Sequence, residues 1–117
     1  MRFALFVCTF AVFLGSVIAA DPVVDRTIPA PDGNITGLAW GEGMLWCLDA
    51  TSKMCYGVDP VNGDVKQSFL FNGNSYTPAG LTYNGTYLFG SFVNSTASTY
   101  VYWYTTSGTY VYYDILC

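Results

Sequence analysis

Residues 37–60, GLAWGEGMLWCLDATSKMCYGVDP, contain three short apolar runs that are separated by two tight turns. Runs of this length, bounded by glycine and small polar residues, are typical of β-strands joined in hairpins. A further turn follows, in which Pro60 presets its own φ and the pair Asn62-Gly63 tolerates positive φ. The stretch therefore predicts strands at residues 35–40, 44–49, 54–59 and 64–71.

A looser copy of the same pattern begins near residue 78 and predicts strands at residues 78–83, 87–92, 100–104 and 109–116. Pairs spaced by 43 residues are Gly37 with Gly80, Leu38 with Leu81, Trp40 with Tyr83, Leu45 with Leu88 and Trp46 with Phe89. Gly63 and Gly108 are 45 residues apart, so the second copy carries two extra residues, most simply in the loop at residues 93–99.

A repeat of just over forty residues with four short strands is the period of a β-propeller blade. Residues 44–48 and 100–104 are apolar on both strand faces, whereas a strand with one solvent-exposed face would alternate between apolar and polar residues. Blades stack face to face around an axis and so need two apolar faces. The predicted fold is all-β, with two four-stranded antiparallel propeller-type blades and one N-terminal strand at residues 24–28. The alternative is a small β-sandwich.

The first repeat resembles a known pattern in three segments: Gly-Leu-Ala-Trp at residues 37–40, Leu-Trp-Cys-Leu-Asp at residues 45–49, and the Asp-Pro turn region at residues 56–65. These segments are similar to the repeats of secreted β-propeller proteins, including glutamine-cyclotransferase-like and NHL-like propellers. The second copy lacks the Asp-Pro turn, and the resemblance covers residues 35–116. It implies an architecture, and it implies no catalytic residue in this chain.

The first twenty residues have the pattern of a secretory signal peptide, with Arg2 before an apolar block. Cleavage is expected after Ala19, because Val17 and Ala19 then stand at the two positions that the cleavage site recognises. Cleavage after Ala20 and an uncleaved membrane anchor are the alternatives. The predicted organisation is a signal peptide at residues 1–19, an N-terminal segment at 20–34, and blade-like repeats at 35–77 and 78–117. The mature protein is expected to be secreted, without membrane contact after cleavage.

The composition excludes several functions. The net charge is −4 with only four Lys and Arg residues, so the basic surface of a nucleic-acid-binding protein is missing. The sequence contains no His, the commonest general base and metal ligand. It also offers no Ser–base pair and no metal or cofactor motif. We therefore expect neither an enzyme nor a bound cofactor.

Two blades are too few to close a propeller, which has about four to eight. Open repeat ends leave apolar faces and unpaired strand edges, and these favour association. The sequence therefore predicts self-association, either as a closed ring or as an extracellular filament. The alternative is a fragment of a larger propeller protein or enzyme.

Three cysteines remain after signal cleavage. Cys47 and Cys55 flank a hairpin turn, which predicts a disulfide between them, with two buried thiols as the alternative. Cys117 is left over, and it is a candidate for an intermolecular bond or a free terminal thiol.

Three Asn-x-Ser/Thr motifs predict N-glycosylation at turns, at Asn34, Asn84 and Asn94. The tyrosine and tryptophan content is high, and aromatic side chains with polar tips suit stacking on sugar rings. The candidate stacking residues are Trp40, Tyr76, Tyr83 and Tyr87, with the interior of the blade stack as the competing role. The predicted function is a secreted, non-catalytic binding or structural unit with a carbohydrate as the first ligand hypothesis.

Overall fold

The computed structural model describes residues 22–71 and 76–116, and these form eight β-strands and no helix. The strands are β1 (Ile35–Gly41), β2 (Met44–Asp49), β3 (Met54–Val58), β4 (Val65–Leu70), β5 (Thr77–Tyr83), β6 (Tyr87–Val93), β7 (Thr99–Thr105) and β8 (Tyr110–Leu116). All eight strands expected from the two repeats are present, with ends shifted by one residue or left unchanged. The described residues contain no helix long and apolar enough to cross a membrane.

The strands form two four-stranded antiparallel sheets with the orders β1-β2-β3-β4 and β5-β6-β7-β8, here called blade 1 and blade 2. Within each sheet, each strand pairs with the next one along the chain, because short turns join them. The turn between β1 and β2 places Glu42 and Gly43 at φ values of 55° and 75°, as a two-residue hairpin turn requires. The predicted all-β fold of two antiparallel sheets is confirmed, and the two blades do not close into a ring.

The predicted N-terminal strand at residues 24–28 is wrong. Residues 22–30 are irregular, and Val23 and Val24 are largely exposed. The apolar composition suits a strand, but a strand needs a neighbour to pair with its backbone N–H and C=O groups. No described strand lies alongside this segment in the pairing pattern of either sheet.

The register of the second blade corrects the match between the repeats in β3 and β7. Leu48 pairs with Cys55 in blade 1, and its counterpart Ser91 pairs with Val101 in blade 2. The sequence pattern matches residues 100–104 with residues 55–59 and so predicts Tyr100 as the counterpart of Cys55, but the pairing gives Val101. The match by sequence is wrong by one residue in β7, because the second repeat has a longer loop between β6 and β7 and a shorter loop between β7 and β8.

The two blades pack face to face with β1 lying against β5. The buried core between them is largely aromatic and contains Trp46, Leu48, Cys55, Phe71, Leu88, Phe92, Tyr102 and Tyr104. Phe71 ends the link from β4 and packs 4.2 Å from the ring of Tyr104 and 5.6 Å from that of Phe92. Close approach depends on Gly37, where an added Cβ would lie 2.9 Å from the Cβ of Leu81.

Candidate functional site

The two blades present opposite faces to each other. We call the blade face that carries Trp46, or its counterpart Phe89, the front face, and the one that carries Leu45, or its counterpart Leu88, the back face. Trp46 and Leu88 both lie in the shared core, so the front of blade 1 packs on the back of blade 2. Such packing is heterologous, and it leaves the back of blade 1 and the front of blade 2 uncovered by a blade within the described chain.

The back face of blade 1 is apolar and partly open. Leu38 and Trp40 are 59% and 61% exposed, and Val65 and Leu70 are about half exposed. The N-terminal segment covers the rest, where residues 28–31 line a groove of about 240 Å³ together with Leu45 and other back-face residues. Blade 1 therefore carries a hydrophobic surface that its own N-terminal segment covers only in part.

Ile28 lines this groove and is the repeat counterpart, by sequence spacing, of Phe71 on blade 2. Phe71 packs against Gly90 and Tyr104, and the counterparts of these two residues are Cys47 and Val58. Cys47 and Val58 line the groove with Ile28. Ile28 also precedes Phe71 by 43 residues, which is the spacing between the two repeats. The segment before β1 thus imitates the link that joins blade 1 to blade 2.

Polar contacts hold the N-terminal segment on blade 1. Asp32 accepts hydrogen bonds from the Tyr56 hydroxyl at 2.7 Å and from the Ser52 hydroxyl at 2.8 Å. These bonds, with the Tyr56 hydroxyl as the largest cause, lower the pKa of Asp32. The same bond to Asp32 raises the pKa of Tyr56. The carboxylate therefore stays ionised and fixes the start of the repeat to β3.

Asp49 at the end of β2 is a structural carboxylate. It is 1% exposed and accepts the backbone N–H groups of Asn34 at 2.7 Å and of Thr51 and Ser52 at 2.8 Å. Burial raises the pKa of Asp49, but the three N–H donors outweigh it, and the pKa is lowered overall. All acceptor capacity is directed at the backbone, so Asp49 is unsuited to acid–base chemistry.

The front face of blade 2 carries a row of aromatic rings. Phe89 stacks on Trp103 at 4.7 Å, and Trp103 meets Tyr112 edge to face at 5.6 Å. Beside this row lies a depression of about 230 Å³ lined by Gly80, Thr82 and their neighbours on β6 and β7. The position of Trp103 in the middle of its strand predicts burial, but Trp103 and Phe89 are only half-buried here.

A second hollow lies on the back face of blade 2, outside the edge of blade 1. This tyrosine groove has a volume of about 500 Å³ and is lined by Tyr76, Tyr100, Tyr102, Tyr104, Tyr110, Tyr113 and Ile115. Its rings form an interlocked set: Tyr76 stacks on Tyr100 at 4.6 Å, and Tyr102 stacks on Tyr113 at 5.5 Å. Tyrosines at every second position of β7 were the signal in the sequence, because alternate residues share one face of a strand.

The four predicted stacking aromatics do not meet in one place. Trp40 lies on the back of blade 1, and Tyr87 lies 6.1 Å from Trp103 on the front of blade 2. Tyr83 lies between the blades over Gly41, and its hydroxyl donates to Glu42 at 3.0 Å. Of the four, Tyr76 alone lines the tyrosine groove.

The predicted disulfide between Cys47 and Cys55 is not formed, and both residues are free buried thiols. Cys47 pairs with Tyr56, and Cys55 pairs with Leu48, so the two cysteines are one register step apart. Neighbouring positions point to opposite faces of a sheet, and Cys47 therefore faces the N-terminal segment while Cys55 faces blade 2. Burial raises the pKa of both thiols, most strongly for Cys55.

We expect these thiols to react in sequence when the protein opens. In protein without residues 1–19 and with Cys117→Ser, Ellman's reagent should label Cys47 at least about tenfold faster than Cys55. The reason is that detaching the N-terminal segment uncovers Cys47, whereas Cys55 needs the blades to separate. Single variants Cys47→Ser and Cys55→Ser assign the two rates. Finding no thiols in denatured, unreduced protein would instead mean that the disulfide exists.

The three predicted glycosylation sites lie in turns or at a strand start. Asn34 and Asn84 are exposed, and Asn94 is half-buried. The Asn84 side-chain oxygen accepts the N–H groups of Thr86 and Tyr87, and that of Asn94 accepts the N–H and hydroxyl of Thr96. These oxygens stabilise the turns. Glycan attachment stays a prediction, and the predicted signal peptide and the role of Cys117 lie outside the described residues.

The described residues contain no group of three or more His, Cys, Asp or Glu side chains that could hold a metal ion. Comparison with known proteins adds no relative: no family model, no curated protein and no solved structure matches the chain. The site is therefore defined by its geometry alone, as two open and opposite blade faces and one tyrosine groove.

Proposed function

We propose that this chain is a secreted, non-catalytic β-propeller unit that works by self-association. In the proposed assembly, the front of blade 2 in one copy packs on the back of blade 1 in the next. The observation that carries the proposal is the heterologous packing inside the chain, where front meets back. The two open faces are the repeat counterparts of the two faces that already pack together.

Individual positions support this arrangement. Inside the chain, Gly37 on one blade makes room for Leu81 on the other. The counterparts of these residues on the open faces are Gly80 and Leu38. Gly80 borders the depression on blade 2, and Leu38 is an exposed side chain on blade 1. The depression and the protruding leucine thus supply the same kind of contact between copies.

The N-terminal segment on the back face of blade 1 also supports this arrangement. Ile28 lines a groove with Cys47 and Val58, which are the counterparts of two residues that pack against Phe71 where blade 1 joins blade 2. A blade from a second copy would therefore meet a junction that resembles the one inside the chain. A heterologous contact of this kind repeats until the rotation closes a ring, and otherwise it extends as a filament.

Leu38→Asp tests the proposal. The exposed side chain contributes little to the fold, so the monomer should stay folded. In the assembly, however, an unpaired carboxylate would be buried at a cost of about 3 kcal/mol or more, which weakens association at least about 100-fold. Analytical ultracentrifugation of unglycosylated protein measures the change, because a glycan on Asn84 would border the proposed interface.

Val61→Asp is the matched control, because Val61 is 64% exposed but lies in the turn between β3 and β4. It should associate like the unchanged protein. Equal association of both variants would contradict the proposed interface. A folded monomer at every concentration would contradict self-association and favour a fragment whose next blade lies in other sequence. Electron microscopy of the assembly separates a ring from a filament.

A further inference from the structure

The tyrosine groove offers a surface that the proposed assembly does not use. It lies on the back face of blade 2, between β7, β8 and Tyr76, and no described residue of β1–β4 lines it. Its volume of about 500 Å³ is in the usual range of ligand sites. Tyr110 and Tyr113 are about half exposed, so their rings are within reach of a molecule from solution.

The chemistry of the lining narrows the ligand class. The described lining residues are six tyrosines and one isoleucine, and none of them is charged. Nucleotides can stack on aromatic rings, but their phosphates need lysine or arginine nearby, and the whole chain has a net charge of −4. The groove instead combines apolar ring faces with hydroxyl groups at the ring edges.

We propose that the tyrosine groove binds a neutral oligosaccharide. A sugar ring presents an apolar C–H face, which can lie on a tyrosine ring, and a rim of hydroxyl groups, which can exchange hydrogen bonds with phenolic hydroxyls. Tyr113 provides the outer stacking surface, supported from below by Tyr102 at 5.5 Å, and the ring of Tyr110 lies 6.4 Å from that of Tyr102. Tyrosine loses little conformational freedom on binding, which favours such a preformed site.

The test is a titration of the mature protein with cellohexaose, chitohexaose and mannohexaose, followed by calorimetry and NMR. We expect at least one hexasaccharide to bind at millimolar concentration or below. Tyr113→Ala should weaken that binding at least about tenfold, because it removes the outer stacking ring. Leu116→Ala is the matched control, since Leu116 is a large exposed residue of the same strand β8 and is not among the described residues that line the groove. It should change saccharide affinity less than about twofold.

Three outcomes would overturn the inference: no binding of any hexasaccharide, equal binding by Tyr113→Ala, or binding of a proline-rich peptide in the same groove without any saccharide. Circular dichroism checks that Tyr113→Ala is folded, and Tyr113→Phe keeps the ring if it is not. The result is separable from self-association. Leu38→Asp should retain saccharide binding, and Tyr113→Ala should retain the assembly mass of the unchanged protein.

Discussion

Replacing Asp49 with alanine is expected to lower the free energy of unfolding by about 3–5 kcal/mol, a large part of the stability of a domain this small. The Asp49 carboxylate accepts three backbone N–H groups at 2.7–2.8 Å in a site that is 1% exposed to solvent. Alanine would leave these donors without partners at the end of β2. It would also release the start of β1, since one of the donors is Asn34.

Urea unfolding followed by circular dichroism measures this loss. Asp64→Ala is the control, because Asp64 is exposed, and we expect a change within about 0.5 kcal/mol. If Asp49→Ala and Asp64→Ala unfolded at the same urea concentration, the Asp49 hydrogen bonds would not stabilise the fold as argued.

The pH dependence follows from the same contacts. Although burial raises the pKa of Asp49, the N–H donors lower it further, so its folded-state pKa lies below the ordinary value of 3.8. A depressed carboxyl pKa contributes stability that is present above the unfolded pKa and is lost as the pH falls through the folded pKa. The free energy of unfolding should therefore decrease as the pH falls below about 5. In Asp49→Asn, the free energy of unfolding should depend less on pH in that range.

Local signals explain why the strands could be predicted from the sequence. Apolar runs of five to seven residues and turns with Asn62-Gly63 or Asn84-Gly85 act within a few neighbours, and all eight strands appear where they were expected. The N-terminal strand failed for a nonlocal reason, because residues 24–28 have the composition of a strand but no neighbour to pair with. Composition alone does not supply the second strand.

The difference between local and nonlocal signals also explains why the disulfide prediction was wrong and why the tyrosine groove was not predicted. Cys47 and Cys55 are near each other in the sequence, but one step of register decides whether two side chains share a face. The tyrosine groove combines Tyr76 with residues of β7 and β8, and no described residue of β1–β4 lines it. Such a hollow depends on how two sheets overlap, which no local pattern records.

Gly37→Val and Gly80→Val are expected to separate folding from assembly. The two glycines are repeat counterparts, and each follows a β-bulge at the start of its blade. A Cβ on Gly37 would lie 2.9 Å from the Cβ and the backbone N of Leu81, which cannot rotate away. Forcing the blades apart there should cost about 3 kcal/mol or more and lower the melting temperature by at least about 10 °C.

Gly80→Val should leave the melting temperature of the monomer nearly unchanged. The described neighbour within reach of a Cβ is the Ser91 hydroxyl at 3.1 Å, a side chain that can rotate, and valine suits a strand. In the assembly, however, the valine would occupy the space that Leu38 of the next copy needs. Association should then weaken at least about 100-fold, as we also expect for Leu38→Asp.

Thermal unfolding measures the stability of both variants, and sedimentation measures their association. Gly33→Val is the control. Gly33 has no atom within 4 Å of an added Cβ, so its variant should melt and associate like the unchanged protein. A Gly37→Val protein that melts normally would contradict the packing between the blades. A Gly80→Val protein that associates normally would contradict the open-face contact, because the one position that imitates Gly37 would then tolerate a side chain.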